Sequence, residues 1–244
     1  MDHPNRRLAL TTLVGAALGL RLSPRAHAAT TTEQRPVANF DRIDWHAVGE
    51  LHIEQTGRER LTIEAEPAVL AKVIAEVRQG LLRIAFAPGR VQTQAPIRFR
   101  LELKSLRALQ AGGSGEIRIG ALATPELALR LTGSDNLHLA HLDARSLDVQ
   151  LEGSGDVTID GGSVLTQRVR LAGSGRHSAP ALASREAHAT LEGSGDIELA
   201  VRERLVARIS GSGSGDVSYH GRPQVQQTVD GAGSVRPASG GQKY

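Results

Sequence analysis

The chain has 244 residues, is 40% hydrophobic but only 2% aromatic, and contains no cysteine. Disulfide frameworks and thiol chemistry are excluded, and any core must be built from Leu, Ile, Val and Ala. Residues 1–28 hold four arginines against Asp2; subtracting them from 29 basic and 26 acidic side chains leaves 25 of each, so the rest is neutral. With neither clustered Lys/Arg nor interleaved aromatics, it does not read as a nucleic-acid binder.

The N-terminus reads as an export leader. Arg6-Arg7 gives a basic start, Leu8 to Leu22 is an apolar stretch interrupted mainly by Thr and Gly, and Ala26-His27-Ala28 is a small-x-small cleavage site. The apolar stretch is too short for a membrane anchor, so the mature chain is expected to carry no transmembrane segment. Asn5-Arg6-Arg7-Leu8, with Arg21 and Arg25, also resembles a twin-arginine leader, so both export routes stay open. A periplasmic, secreted or cell-surface product is expected. Residues 29–36 are polar and expected to be a disordered linker.

Residues 37–109 carry strand patterns without a fixed period, including Leu51 and Ile53, Leu61 and Ile63, Leu82 and Ile84, and Phe99 and Leu101. Between them, Pro67 followed by Val69, Leu70, Val73, Ile74 and Val77 at helical spacing predicts one short helix over 66–77. This β-rich segment is expected to cap or begin the remainder of the fold, because open strand edges aggregate.

Residues 110–237 form a repeat. Gly-Ser-Gly or a variant starts at Gly113, Gly133, Gly153, Gly173, Gly193 and Gly213, every twenty residues, with Gly231-Ala232-Gly233 eighteen further on. A fixed period marks stacked repeats, and twenty residues with strand alternation fit one coil of a β-solenoid. Before each turn the apolar positions align as Leu131, Leu151, Leu171, Leu191, Ile209 and Val229. After it come Ile117 and Ile119, Leu137 and Leu139, Val157 and Ile159, Ile197 and Leu199, Val217 and Tyr219. A third column holds Leu122, Leu142 and Leu182. The step from Leu191 to Ile209 is eighteen, which predicts a coil two residues short, compensated by Gly211-Ser212 at the next turn. Seven coils at ~4.8 Å give a rod of roughly 34 Å. His177 and Ala179 occupy apolar slots, so the core there is expected to be thin. The tail, residues 238–244, is Gly/Ser-rich and expected to be flexible.

Glycine suits the sharp bend of each turn, and Asp135, in a glycine slot, is expected to take a left-handed conformation. The next position reads Glu116, Asn136, Asp156, Arg176, Asp196, Asp216 and Ser234. Its acids are expected to close their turns by accepting backbone N–H groups. Gly-x-Gly-x-Asp also resembles calcium-binding β-rolls, but those need nine-residue spacing, and Asn136, Arg176 and Ser234 interrupt the acids.

Phe40-Asp41-Arg42-Ile43, Val48-Gly49-Glu50-Leu51-His52-Ile53, Leu61-Thr62-Ile63-Glu64-Ala65-Glu66, Leu81-Leu82-Arg83-Ile84 and the recurring Gly-Ser-Gly-Asp turns together resemble the bacterial DUF2807 family, over roughly 37–237. The resemblance implies a right-handed parallel β-helix or β-solenoid, all-β with an N-terminal capping segment, and an adhesive or cell-envelope role. It implies no catalytic residues.

The remaining constellations favour structural readings. His138 and His141 are three apart on alternating geometry, which sends their rings to opposite faces and argues against a shared metal. Ser154 and Ser194 recur because the turn recurs, not beside a base. Trp45 reads as a core or capping residue, and His188 and His220 as outward or turn residues. No cofactor is called for. The expected function is non-enzymatic: contact with an envelope protein or polysaccharide partner through the outward column Arg130, Gln150, Arg170 and Thr190. The alternative, a β-helix polysaccharide lyase or hydrolase, needs a cleft built by protruding loops, and the uniform coils supply none.

Overall fold

A computed structural model describes residues 29–211 and 213–238. The expected leader, residues 1–28, and residues 239–244 of the expected tail lie outside the described residues. The N-terminal part supplies β1 (Thr31–Arg35), β2 (Arg42–His46), β3 (Glu50–Gln55), β4 (Arg60–Ala65), helix α1 (Pro67–Leu70), β5 (Val73–Arg78), β6 (Leu81–Phe86), β7 (Arg98–Leu103) and β8 (Ala108–Ala111). The repeats supply β9 (Glu116–Leu131), β10 (Asn136–Gly153), β11 (Val157–Ile159), β12 (Gly162–Gly173), β13 (Arg176–Gly193), β14 (Asp196–Ser210), β15 (Val217–His220), β16 (Gln224–Asp230) and β17 (Val235–Pro237).

The repeats stack as a parallel β-solenoid, and the expected columns are its core. Leu151 lies in register with Leu131 on one side and Leu171 on the other; Leu191, Ile209 and Val229 continue the line. Leu122, Leu142, Gly162 and Leu182 stack at the bend that follows the short strand. Each coil therefore offers solvent a short-strand face, running through Arg118, His138 and Thr158, and a long-strand face, running through Arg130, Gln150 and Arg170. The shortened coil sits where the spacing puts it: β13 and β14 slip register between Ala179 and Ala183 and again between Ser184 and Glu186. The stack makes about six turns and not seven. After Gly231-Ala232-Gly233 the chain forms only the three-residue β17, with no further long strand among the described residues.

Closeness explains the second glycine of each turn. A Cβ on Gly175 would strike the carbonyl oxygen of Gly155 in the coil beneath, and one on Gly155 would strike that of Asp135. The stacked backbones leave no room for a side chain. Asp135 is handled differently from the expectation, because it is absent from the positive-φ residues. Its fully buried carboxylate instead turns inward and accepts the N–H groups of Gly113 (2.5 Å) and Gly115 (2.6 Å). The turn acids also act between coils and not within their own turn. Asp156 accepts the Arg176 N–H at 2.8 Å, Asp196 that of Asp216 at 3.2 Å, and Asp216 that of Ser234 at 2.8 Å.

The N-terminal segment departs from expectation twice. The helix over 66–77 is a single turn, Pro67–Leu70, and Val73–Arg78 is a strand antiparallel to β6. Gln79 and Gly80 both have positive φ, the signature of a two-residue hairpin turn, and β-branched Val73, Ile74 and Val77 favour the hairpin over a second helical turn. Residues 31–35, expected to be disordered, form β1 along β4. Its threonines suit a strand, and it covers an edge that would otherwise be bare. Trp45 is fully buried and meets Phe99 edge-to-face at 5.0 Å, which places it in the core as expected. Among the described residues, no helix is long and apolar enough to cross a membrane.

The thin place in the core is a polar pair. His177 and Ala179 are fully buried, and so is Gln167, which occupies the slot held by Leu147 and Ala187 in adjacent coils. Gln167 Nε2 and His177 Nε2 lie 3.0 Å apart, while Gln167 Oε1 and His177 Nδ1 have no partner.

Candidate binding surface

The long-strand face is the broadest regular surface. Arg130, Gln150, Arg170 and Thr190 lie in register on successive strands, as the spacing predicts. The column is longer than the repeats alone indicate. Glu76, Arg83, Asp44 and Gln110 precede Arg130, and Arg208 and Thr228 follow Thr190. Ten strands thus present one line of polar side chains, roughly 43 Å long at ~4.8 Å per strand. The N-terminal members escaped sequence reading because β2 and β6 are far apart in the chain. Their in–out alternation through Asp44 and Arg83 was the available signal.

Charge on this face is largely matched between coils. Arg130 donates to Glu152 at 3.0 Å and Arg170 to Glu192 at 2.9 Å, with each side chain half exposed or nearly so. The arginines thus lie flat across their neighbours, and Gln150 donates to Asp148 at 3.3 Å. From Arg130 onward the charged members of the column are arginines spaced by uncharged Gln150 and Thr190, and two of them are paired with glutamates beside the column.

The short-strand face is also paired. His138 sits 2.7 Å from Asp160 and His220 2.9 Å from Glu198. Hydrogen bonding from His220 holds the Glu198 carboxyl below its ordinary value. His141, beyond the bend, sits 3.2 Å from Asp143. The chain turns between His138 and His141, so both rings point outward on different faces instead of one lying inward. His188 is exposed on the long-strand face. A shallow cleft of about 420 Å³ near the C-terminal end is lined by Arg176, Asp196, Glu198, Asp216, Ser218 and Arg236. Its charges also pair internally, Arg176 with Asp196 and Arg236 with Asp216. The Ser234 hydroxyl, donating to Asp216, lowers that carboxyl's pKa further.

The three acids a calcium ladder needs, Asp156, Asp196 and Asp216, are therefore committed to the backbone of the next coil. Treatment with EDTA is expected to leave the melting temperature of residues 29–244 unchanged. A drop of several degrees would mean that these carboxylates hold a cation.

A family model matches residues 39–223, nearly the whole stack and its N-terminal segment. The chain belongs to the DUF2807 family. Its members are described as "putative auto-transporter adhesin, head GIN domain". A "putative adhesin" from Bacteroides fragilis NCTC 9343 superposes with a TM-score of 0.81 at 24% identity, covering 86% of this chain and 97% of that one. One from Parabacteroides merdae ATCC 43184 gives 0.74 at 19% identity, covering 86% and 96%. A "putative lipid binding protein" from Parabacteroides distasonis ATCC 8503 gives 0.65 at 22% identity, covering 86% and 97%. At these identities the likeness establishes the fold alone. No curated protein sequence matches the chain.

Proposed function

We propose that this DUF2807 chain is an exported, non-catalytic, adhesin-like module of the cell envelope that grips an extended protein or polysaccharide through its regular outer faces. The observation that carries this reading is the ten-strand column, a line of polar side chains in continuous register from Glu76 to Thr228. The alternative of a polysaccharide lyase or hydrolase requires a group of acids or arginines free to act on substrate. The charges lining the C-terminal cleft, around Arg176 and Asp216, are held in pairs. A lipid ligand suits the faces less well, because the large exposed apolar residues Val225 and Val229 sit at the uncovered end of the rod, on the inward side of β16, and not on the outer faces.

The test is a glycan-array and whole-cell binding assay on residues 29–244, with a turnover screen on acidic polysaccharides alongside. Arg130→Ala combined with Arg170→Ala is expected to weaken binding about tenfold, the size of a lost charge-assisted contact. The melting temperature should stay put, since exposed ion pairs contribute little to stability. Turnover of any polysaccharide, or binding indifferent to the paired substitution, defeats the proposal.

A further inference from the structure

The two ends of the rod are finished differently. At the N-terminal end, β1 and β5 lie antiparallel across the stack, and α1 fills the space between β4 and β5 in the chain. Charged residues mark these outer strands: Glu33 and Arg35 on β1, Glu76 and Arg78 on β5. Charges of this kind discourage further strand pairing. At the other end, β17 contains Pro237, which has no N–H to give a neighbour.

β16 is less guarded, with no proline and a single charge, Asp230, at its end. It pairs with β14 on one side, and among the described residues no strand adjoins the other. Its inward positions Val225, Gln227 and Val229 continue the columns of Leu205, Ala207 and Ile209. Those three are buried, yet Val225 and Val229 remain 38% and 40% exposed, because nothing covers the last layer. Six of its seven residues are uncharged, Asp230 being the exception.

The sequence of β16, Gln-Val-Gln-Gln-Thr-Val-Asp, is self-complementary when two copies run antiparallel about Gln227. On the inward side Val225 meets the second copy's Val229, and Val229 meets its Val225. The two Gln227 amides face each other across the axis, each able to donate and accept. On the outward side Gln226 meets Thr228, and Gln224 meets Asp230. No like charges oppose, and every exposed valine gains an apolar partner.

We infer that β16 is a homodimerisation edge: two copies of this chain join tail to tail by antiparallel β16 pairing about a two-fold axis through Gln227, forming one continuous sheet across both long-strand faces. Such an isologous contact closes on itself and stops at two. It doubles the length of the polar column that a repetitive partner would meet.

Two measurements on residues 29–244 decide the matter. Sedimentation equilibrium between about 1 and 100 μM, the range of moderate association, should give twice the monomer mass. Gln227→Lys, which sets two ammonium groups on the axis, should return the mass to monomer while circular dichroism and melting temperature stay as before. Because the chain has no cysteine, Gln227→Cys should also form an intermolecular disulfide with itself on mild oxidation, whereas Thr190→Cys, in the middle of the rod, should not. A monomer at the highest concentration overturns the inference. So does a dimer indifferent to Gln227→Lys, or an open-ended polymer, which would mean that β16 pairs with the N-terminal end.

Discussion

Leu151→Asp is expected to leave residues 29–244 unfolded at room temperature. Leu151 is 2% exposed and lies in register between Leu131 and Leu171, so a carboxylate there faces apolar side chains above and below. No cation reaches that position, since the arginines of these strands point outward. The substitution forfeits about 2 kcal/mol of apolar burial and adds the cost of an unpaired buried polar group, several kcal/mol more. That total consumes most of the roughly 5–15 kcal/mol that ordinary domains possess. Ser154→Ala, in the turn of the same coil, is expected to cost under about 1 kcal/mol. Urea unfolding followed by far-ultraviolet circular dichroism distinguishes the two; equal midpoints would show that Leu151 is not a core position.

Acid should find a second weak point, at His177. Burial pushes its imidazole down from 6.5 to about 4. Between these values the unfolded chain takes up a proton that the folded chain refuses. Stability present above pH 6.5 is therefore lost as the pH falls toward 4, by about 3 kcal/mol in all. Carboxylates titrate in the lower part of this window, so the decisive comparison is with a variant lacking the imidazole. His177→Leu alone should remove the loss but cost about 1–3 kcal/mol at pH 7, because the Gln167 amide keeps no partner in the core. His177→Leu with Gln167→Leu makes both slots apolar, as they are in the adjacent coils, where Val157 and Ile197 flank the first and Leu147 and Ala187 the second. That double variant should match or exceed the parent at pH 7 and hold its stability to pH 4.5. An equal acid loss in parent and double variant would assign the effect to surface carboxylates instead.

The repeats were legible because one residue type recurs in one slot for a purely geometric reason. Leu131, Leu151, Leu171 and Leu191 can stack only if each coil returns to the same place. The compensating step at Gly211 was readable on the same ground. Gln167 was not readable as a core residue, because a lone polar side chain in an apolar column looks like an outward position until its partner, ten residues away, is placed beside it. The turn acids Asp156, Asp196 and Asp216 were read as acceptors of backbone N–H, but their donors lie one coil away, a relation that local turn chemistry does not express. Asp135 was read only as a left-handed stand-in for glycine, and its grip on the Gly113 and Gly115 N–H groups was missed for the same reason. Over 66–77 two periods competed, since Val73, Ile74 and Val77 satisfy both helical and strand spacing. The Gln79-Gly80 turn and the waiting partner Leu81–Phe86 settled it for the strand. As for the outward polar column, its four central residues were visible from their spacing, while its N-terminal extension depends on pairings between distant strands.

Those pairings also set the order in which the molecule can assemble. β2 is held between β6 and β8, and β3 between β7 and β9, so each lies between strands that occur later in the chain. A polypeptide emerging N-terminus first, from a ribosome or a pore, therefore leaves β2 and β3 without their second partners until about residue 119 has appeared. The opening block must close as one cooperative event across long loops. Every later coil has a finished layer to fold onto and needs only twenty more residues, so growth beyond that point proceeds like a zipper. Loss of coils from the far end leaves a shorter rod that is still folded, whereas loss of β2 removes the seam on which the whole rod is started.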